Sequence, residues 1–569
     1  MLGDHGSPAE PLGYRFDLEQ YDSLGYDDFP FRATHPDWLS MAGRMLGVST
    51  PRADRASVLE LGCGRGANLV GLALALPDAE FLGIDAAEAQ IADGRADAEA
   101  LGLRNLTFSA GDIASNEVNR VIDDLSERGT FDYIICHGVY SWVPGAVRTR
   151  IVELISTRLA PGGIGYISFN TLPGWHARGL VRDVLRRVAI GSEAADRATS
   201  ARSFLDLWSR HLGADQALGD YLRGEMDLLG RLSDRYLFFE HLVEENTAFY
   251  LEDFVGTVRS AGLEYLGDAD LGTMRPEQLG DEAAEEIGRL GLGPVGVEAL
   301  LDLLTVRLFR RALLCRAEDV GSFSDERPLH DAWLQADLDV AGLQVDLMAP
   351  ASVVATIEDG SHEPGEASHV EVELRDDTGS LLSSDDPVVT VALWIMSEMR
   401  PVGQDLERLT RLVAERLGRT VDPDLIEEVH HAMEALVLHG RVDAGRVDRG
   451  TTHLIEDRPI TSRLVRRQAS AARAYATTSR HDHLALDRLD HVLLPLLDGE
   501  HGRTELLTAA LSALGSEKLE ITVDDRSLEG SAEDADLLVE IIDEKLEQYR
   551  RVGLLLRGDS DPRRWASNH

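Results

Sequence analysis

Val58-Leu59-Glu60-Leu61-Gly62-Cys63-Gly64-Arg65-Gly66 decides how the first third of this chain is read. Three of the first four residues are apolar, as in a short buried strand, and glycines then recur at every second position. Glycine lacks a Cβ, so such a run lets the backbone turn tightly and approach a bound molecule closely. Asn68–Leu76 reads as a helix ended by Pro77. Strand, glycine turn and helix make half of a βαβ unit.

The same alternation continues outward. Glu80–Asp85 reads as a strand, Ala86–Leu101 as a helix, and Leu106–Ser109 as a strand running into Gly111-Asp112. Phe131–Cys136 is a fourth strand. Val147–Leu159 is a helix stopped by Pro161-Gly162-Gly163, and Ile164–Phe169 is a fifth strand. Five such units predict the α/β class: a parallel, doubly wound, Rossmann-like sheet. Ligands of such sheets sit beyond the carboxyl ends of the strands. The residues there are Glu60, Gly62, Cys63, Gly64, Gly66 and Asn68 after the first strand, and Asp85 and Ala86 after the second, where ribose hydroxyls would bind. Asp112 and Ile113 follow the third, at the place of an adenine edge, and His137 follows the fourth.

Gly62, Gly64 and Ala67 satisfy the nicotinamide dinucleotide fingerprint, which alone is weak. The ordered set Glu60-x-Gly62-x-Gly64-x-Gly66, Asp85 and Gly111-Asp112 resembles motif I and the ribose and adenine positions of class I S-adenosylmethionine-dependent methyltransferases. Tyr21-Asp-Ser-Leu-Gly-Tyr26, Phe29-Pro-Phe, Thr34-His-Pro36, the run Phe131–Pro144 and Ser168-Phe-Asn-Thr-Leu-Pro-Gly-Trp175 extend the likeness. So do Tyr236–Asp270, with Phe-Phe-Glu-His-Leu at 238–242, and Arg307–Leu314. Together these resemble bacterial methyltransferases that carry a methyltransferase regulatory domain, of the rickettsial protein lysine methyltransferase type that acts on outer-membrane protein. The likeness covers most of the chain and is strongest over 20–175. It implies S-adenosyl-L-methionine as cofactor and a lysine ε-amine as acceptor. It also implies that Leu251–Gly262 and Leu263–Leu266 are the last helix and sixth strand, and that Arg310–Cys315 is an antiparallel seventh strand. Residues 171–245, with helical runs at Leu180–Val188 and Phe204–His211, then form a helical insertion beside the active site.

The expected division is an N-terminal arm over the cofactor site (1–50), a methyltransferase domain (51–320) whose regulatory-type segment spans 236–315, a middle unit (328–460) and a terminal α+β unit (461–569). Glu318–Arg327 is the polar break before the middle unit, and Glu358–Ala367 is a loop within it. Val353–Ile357, Val370–Leu374 and Val388–Val391 read as strands there. Leu406–Leu417 and Leu425–Leu438 read as helices before Arg441-Val442-Asp443, a winged-helix-like order. In the terminal unit, Thr504–Leu514 and Ala535–Leu555 read as helical.

Winged helices often bind nucleic acid, but that is analogy of fold. The charge argues against it: 99 acidic against 56 basic residues give −43, and the only lysines are Lys518 and Lys545. Such a surface repels nucleic acid and anionic membranes and attracts a basic protein; it also suits a base-composition or high-salt origin. Arg463, Arg466, Arg467 and Arg473 are expected to pair within the chain. His481-Asp-His483 lacks a third ligand, and three scattered cysteines make neither a disulfide framework nor a zinc site, so no metal is expected. No basic-then-apolar leader and no long apolar run is present, so a cytoplasmic location is expected.

Methyl transfer is an in-line displacement, in which holding donor and acceptor at attack distance does most of the work. Tyr26, His137, Tyr140 and Asn170 are the candidates for positioning the acceptor or relaying its proton, with positioning favoured for His137. Phe29, His35, Trp142 and Trp175 are the candidates for the acceptor pocket, with Tyr21 as a further aromatic wall. A protein acceptor requires an open groove from the fourth strand towards the C-terminal half. The alternatives are a small-molecule N- or O-methyltransferase, which requires a closed pocket under the insertion, and a non-catalytic cofactor-binding regulator. A homodimer through the insertion is open.

Overall fold

The computed structural model describes residues 28–191, 193–212, 217–323, 328–336, 372–375, 381–384, 386–516, 519–523, 526–528, 531 and 534–565. The alternating segments form strands β1 (Ser57–Leu61), β2 (Glu80–Asp85), β3 (Leu106–Ala110), β4 (Phe131–Cys136), β5 (Leu159–Asn170), β6 (Leu263–Asp268) and β7 (Phe309–Arg316). They make one sheet of order β3-β2-β1-β4-β5-β7-β6. The first five run parallel, in registers such as Leu61 opposite Ile84 and Cys136 opposite Ile167. β7 is antiparallel to both β5 and β6.

The central strands β1, β4 and β5 are buried on both faces, as continuous apolar runs require. One face packs Val58, Tyr133, Ile135 and Tyr166 against helices Pro36–Met45, Ala67–Ala75 and Glu88–Ala100. The other packs Leu59, Ile134, Ile167 and Phe169 against helices Gly145–Arg158 and Leu251–Ser260.

Two expectations are corrected. β5 does not begin after Pro161-Gly162-Gly163 but runs through them. Phe131 pairs with Leu159 and Tyr133 with Ile164, so the three residues bulge out of the ladder. Gly162, at φ +72°, lies where a Cβ would sit 2.3 Å from the Ser49 carbonyl oxygen. Val388–Val391 is not a strand but the start of helix Pro387–Glu398. Pro387 opens the helix, and the Asp386 carboxylate accepts from the Val388 and Val389 N–H groups. Cap and burial together outweigh the modest helix penalty of the β-branched run. The segment 353–357 and the loop 358–367 lie outside the described residues.

Between β5 and helix Leu251–Ser260 stand, among the described residues, four helices, Gly174–Val188, Ala194–His211, Ala217–Arg231 and Asp234–His241. They have their own core of Val181, Leu185, Leu205, Met226 and Phe238. Their two ends meet: Leu172 N–H donates to the Phe249 carbonyl and Phe249 N–H to the Asn170 carbonyl, at 2.9 and 3.0 Å. The insertion therefore grows out of the carboxyl end of β5. Further along, a three-stranded sheet (Gln404–Asp405, Trp333–Ala336, Val442–Gly445) carries helices Pro387–Glu398, Leu406–Leu417 and Pro423–Leu438. The last unit holds helices Arg463–Ser470, Arg503–Gly515 and Ala535–Arg551 and a hairpin of Tyr475–Thr477 with His483–Ala485. The basic run at its start does pair internally: Arg467 and Arg473 both reach Asp97, on helix Glu88–Ala100. Among the described residues no helix is long and apolar enough to cross a membrane, and no His/Cys/Asp/Glu group could hold a metal ion.

Candidate active site

The loop after β1 is built for glycine. Gly62, Gly64 and Gly66 have φ of 76°, 54° and 75°. A Cβ on Gly62 would lie 2.4 Å from Val139 Cγ2, and one on Gly66 2.1 Å from Phe108 Cζ. Asp85, at the end of β2, braces this loop. Its Oδ2 accepts from Gly64 N–H and its Oδ1 from Ala87 N–H, both at 2.9 Å. Asp112 is exposed and accepts from Ala114 N–H at 2.8 Å, Ile113 is buried beneath it, and Ala86 is exposed.

A cavity of about 950 Å³ opens at the carboxyl ends of β1, β4 and β5. Glu60, Gly62, Cys63, Gly64, Asn68, His137 and Gly138 form its floor, and Trp142, Asn170 and Trp175 one wall. Gly66, Asp85, Ala86, Asp112 and Ile113 stand beside it rather than in its lining. The arm contributes Asp28, Phe31 and Arg32, the insertion and regulatory segment Phe239, Glu240, Glu244, Glu245, Phe309 and Arg311, and the C-terminal half Asp443, Asp482 and His483. None of these is singled out as a lining residue from sequence, where His483 is considered only as a metal ligand.

Burial sets the electrostatics of the floor. Glu60 is 4% exposed; its Oε1 accepts from Asn68 Nδ2 at 3.0 Å, and its Oε2 has no partner. Burial, with Asp28 nearby, pushes its carboxyl well above the usual range. Asp28, which accepts from Ala67 N–H at 2.9 Å, is likewise pushed up by burial, to about 7. Two under-compensated carboxyls at a glycine loop favour a cationic ligand. That is the chemistry of a molecule bearing both an ammonium and a sulfonium, so the floor fits S-adenosylmethionine: Glu60, Gly62–Gly64 and Asn68 would hold it.

His137 lines the cavity with its ring 3.9 Å from that of Phe31 and its Nδ1 2.9 Å from Tyr166 Oη. Burial lowers its pKa to about 3, so the ring is neutral at ordinary pH. Asn170 donates its backbone N–H to Ser141 Oγ at 2.8 Å and its Nδ2 to Asn246 Oδ1 at 3.4 Å. Trp142 and Trp175 meet edge to face, centroids 5.8 Å apart.

Three expected site residues are elsewhere. Tyr140 packs in the core against Phe249 and Phe254, where an aromatic cluster outcompetes a place in the cavity. Phe29 stacks on His483 at 4.7 Å, holding the arm to the terminal unit. His35 caps helix Pro36–Met45, its Nδ1 accepting from Asp37 N–H at 3.1 Å. Tyr21 and Tyr26 lie outside the described residues.

Sheet order, antiparallel β7 and the glycine loop define a class I methyltransferase. Three family models match: a methyltransferase domain over residues 53–173, a "predicted methyltransferase regulatory domain" over 233–316, and a "PKMT, C-terminal winged helix domain" over 457–554. One uncharacterized protein of Rickettsia prowazekii is 27% identical over 559 residues, 95% of this chain and 94% of that one. A second from the same organism is 33% identical over 238 residues, 41% of this chain and 92% of that one. The structure of PKMT2 from Rickettsia typhi shares the fold with a TM-score of 0.77 at 24% identity, covering 94% of this chain and 100% of that one. Its complex with AdoHcy scores the same and covers 93% and 99%. The chain belongs to the S-adenosylmethionine-dependent methyltransferases that carry this regulatory domain and the PKMT-type winged helix.

Proposed function

We propose that this methyltransferase acts on the ε-amine of a lysine in a protein substrate. The carrying observation is the make-up of the cavity beyond the glycine loop. Six acidic side chains besides Asp28 and Glu60 line it against four guanidiniums, and the Trp142–Trp175 pair stands beside Asn170. A surplus of carboxylates draws in an ammonium, and an indole-lined channel then lowers its pKa from about 10.4. S-adenosylmethionine, when bound, supplies an activated sulfonium methyl. Asn170, whose Nδ2 is given to Asn246, keeps its carbonyl oxygen to accept from the acceptor amine. The neutral His137 orients the pocket through Phe31 and Tyr166 and is too weak a base to take the ammonium proton, which leaves to solvent before transfer. The PKMT-type terminal domain and the fold likeness to PKMT2 of Rickettsia typhi support the same reading, as does a net charge that suits a basic protein partner and disfavours nucleic acid.

The test is methyl-label transfer. Purified enzyme, labelled S-adenosylmethionine and lysate of the source organism are incubated, and protein is separated from small molecules. Label recovered as methyl-lysine is expected. Label confined to the small-molecule fraction would instead make the enzyme a small-molecule N- or O-methyltransferase. No label anywhere, with cofactor binding intact, would point to a regulator.

A further inference from the structure

Asn68 lies one residue into the helix that follows the glycine loop, and its side chain is a meeting point. Nδ2 donates to Glu60 Oε1 at 3.0 Å. Oδ1 faces the Phe31 backbone N–H at 3.2 Å and His481 Nε2 at 2.6 Å, with the Thr34 hydroxyl, which also donates to the Phe31 carbonyl at 2.7 Å, 3.1 Å away. Glu60 and Phe31 line the cofactor cavity. His481 comes from more than 400 residues away, in the terminal unit.

The fit at His481 is tight and specific. The residue is 3% exposed. Because Asn68 Nδ2 is committed to Glu60, Oδ1 can only accept, so Nε2 carries the imidazole proton. His481 has φ of 62°, a conformation that residues with a Cβ rarely adopt and that persists where the surroundings over-determine it. The cofactor helix makes room: a Cβ on Gly71 would lie 3.2 Å from both His481 Cε1 and Thr477 Cγ2. The next two residues, Asp482 and His483, emerge into the cavity.

We propose that the hairpin Tyr475–Ala485 of the terminal winged helix is a working part of the cofactor site, with His481 as the positioning residue that orients Asn68 and, through it, Glu60. A hairpin that in other winged helices is free to meet nucleic acid is here turned inward. The proposal holds whichever acceptor the enzyme uses.

Two variants separate this role from packing. Asn tolerates positive φ but is too short to reach Asn68, so His481→Asn keeps the fold and loses the bond. Gln reaches further and keeps an N–H donor. The expected result is that S-adenosylhomocysteine, measured by calorimetry, binds H481N at least about fivefold more weakly than the parent and H481Q within about twofold, because the cofactor-facing side chains are less well positioned, while H481N still melts cooperatively. Equal affinity in all three proteins overturns the proposal. A second readout needs no variant, because coupling between two sites is reciprocal. Adding S-adenosylhomocysteine to the unmodified enzyme slows amide exchange across 475–485. Unchanged exchange there, with the ligand bound, equally overturns it.

Discussion

His137 and Asp28 line the same cavity, and burial displaces their pKa values in opposite directions. His137, lowered to about 3, takes no proton anywhere in the working range. At saturating cofactor, and above the range in which Asp28 titrates, the rise of kcat/KM with pH therefore reports the acceptor ammonium. With a lysine peptide, log kcat/KM is expected to climb with a slope near one from about pH 8 to about pH 9. His137→Phe should lower the curve about tenfold by loosening the pocket and leave its shape unchanged; a lost or displaced limb would make His137 the base. Asp28, raised from 3.8 to about 7, has the sign of a destabilising carboxylate. Between those values the folded state holds a proton that the unfolded state has released, so this group's contribution is full below pH 3.8 and is lost as pH rises through 7. Asp28→Asn should thus raise the melting temperature at pH 8 by a few degrees, have little effect at pH 4, and weaken binding of the cationic cofactor. Thermal melts at the two pH values check it.

The elements divide between those held by backbone geometry and those held by charge. The loop after β1 is of the first kind: Gly62→Ala places a Cβ 2.4 Å from Val139 at a φ that alanine resists. Loss of measurable cofactor binding is expected, by calorimetry, in a protein that still melts cooperatively. β7 is of the second kind. Arg310 is fully buried and meets Asp302 through two bonds of 2.8 and 2.9 Å, Glu298 at 2.8 Å and the Tyr265 hydroxyl at 2.8 Å. It ties β7 to helix Pro294–Leu304. Arg310→Met leaves Glu298 buried without a counter-charge and Asp302 with Arg307 as its counter-charge, and should cost about 3–5 kcal/mol, part of which E298Q in the same chain returns. Denaturant titration measures both. Elements like β1, β2 and β4 were legible in the sequence because an apolar run and its turn residues lie side by side there. The start of β5 was not, since only the Ser49 carbonyl, far back in the chain, shows why Gly162 bulges instead of ending a helix. The site follows the same division. Glu60, the glycines and Asn170 are set by their places at strand ends. His35, Phe29 and Tyr140 were misplaced because each has a stronger partner (a helix N-terminus, His483 and Phe254 respectively) that no local pattern reveals. Asp28, Asp443 and Asp482 were missed for the converse reason: they are unremarkable surface-type acids until three remote segments converge.

At the scale of the whole molecule the convergence is charged. Asp443, from the middle unit, pairs with Arg32 of the arm and with Arg480 of the terminal hairpin. Asp37 accepts the backbone N–H of Arg446 at 2.7 Å. The outer field is strongly negative, at −43. Capture of a basic substrate should therefore weaken with ionic strength: kcat/KM for a lysine-rich protein is expected to fall about tenfold between about 20 and about 500 mM salt, through KM, while S-adenosylhomocysteine affinity moves little. A salt-independent KM would mean that the acidic surface takes no part in docking. The wall of one cavity is drawn from Asp28, Asn170, Glu244, Asp443 and His483. A ribosome must therefore read most of the message before the wall exists. A nascent or prematurely terminated chain could fold its sheet and lack the chamber, so incomplete products would be silent proteins and not stray methylating agents loose in the cell.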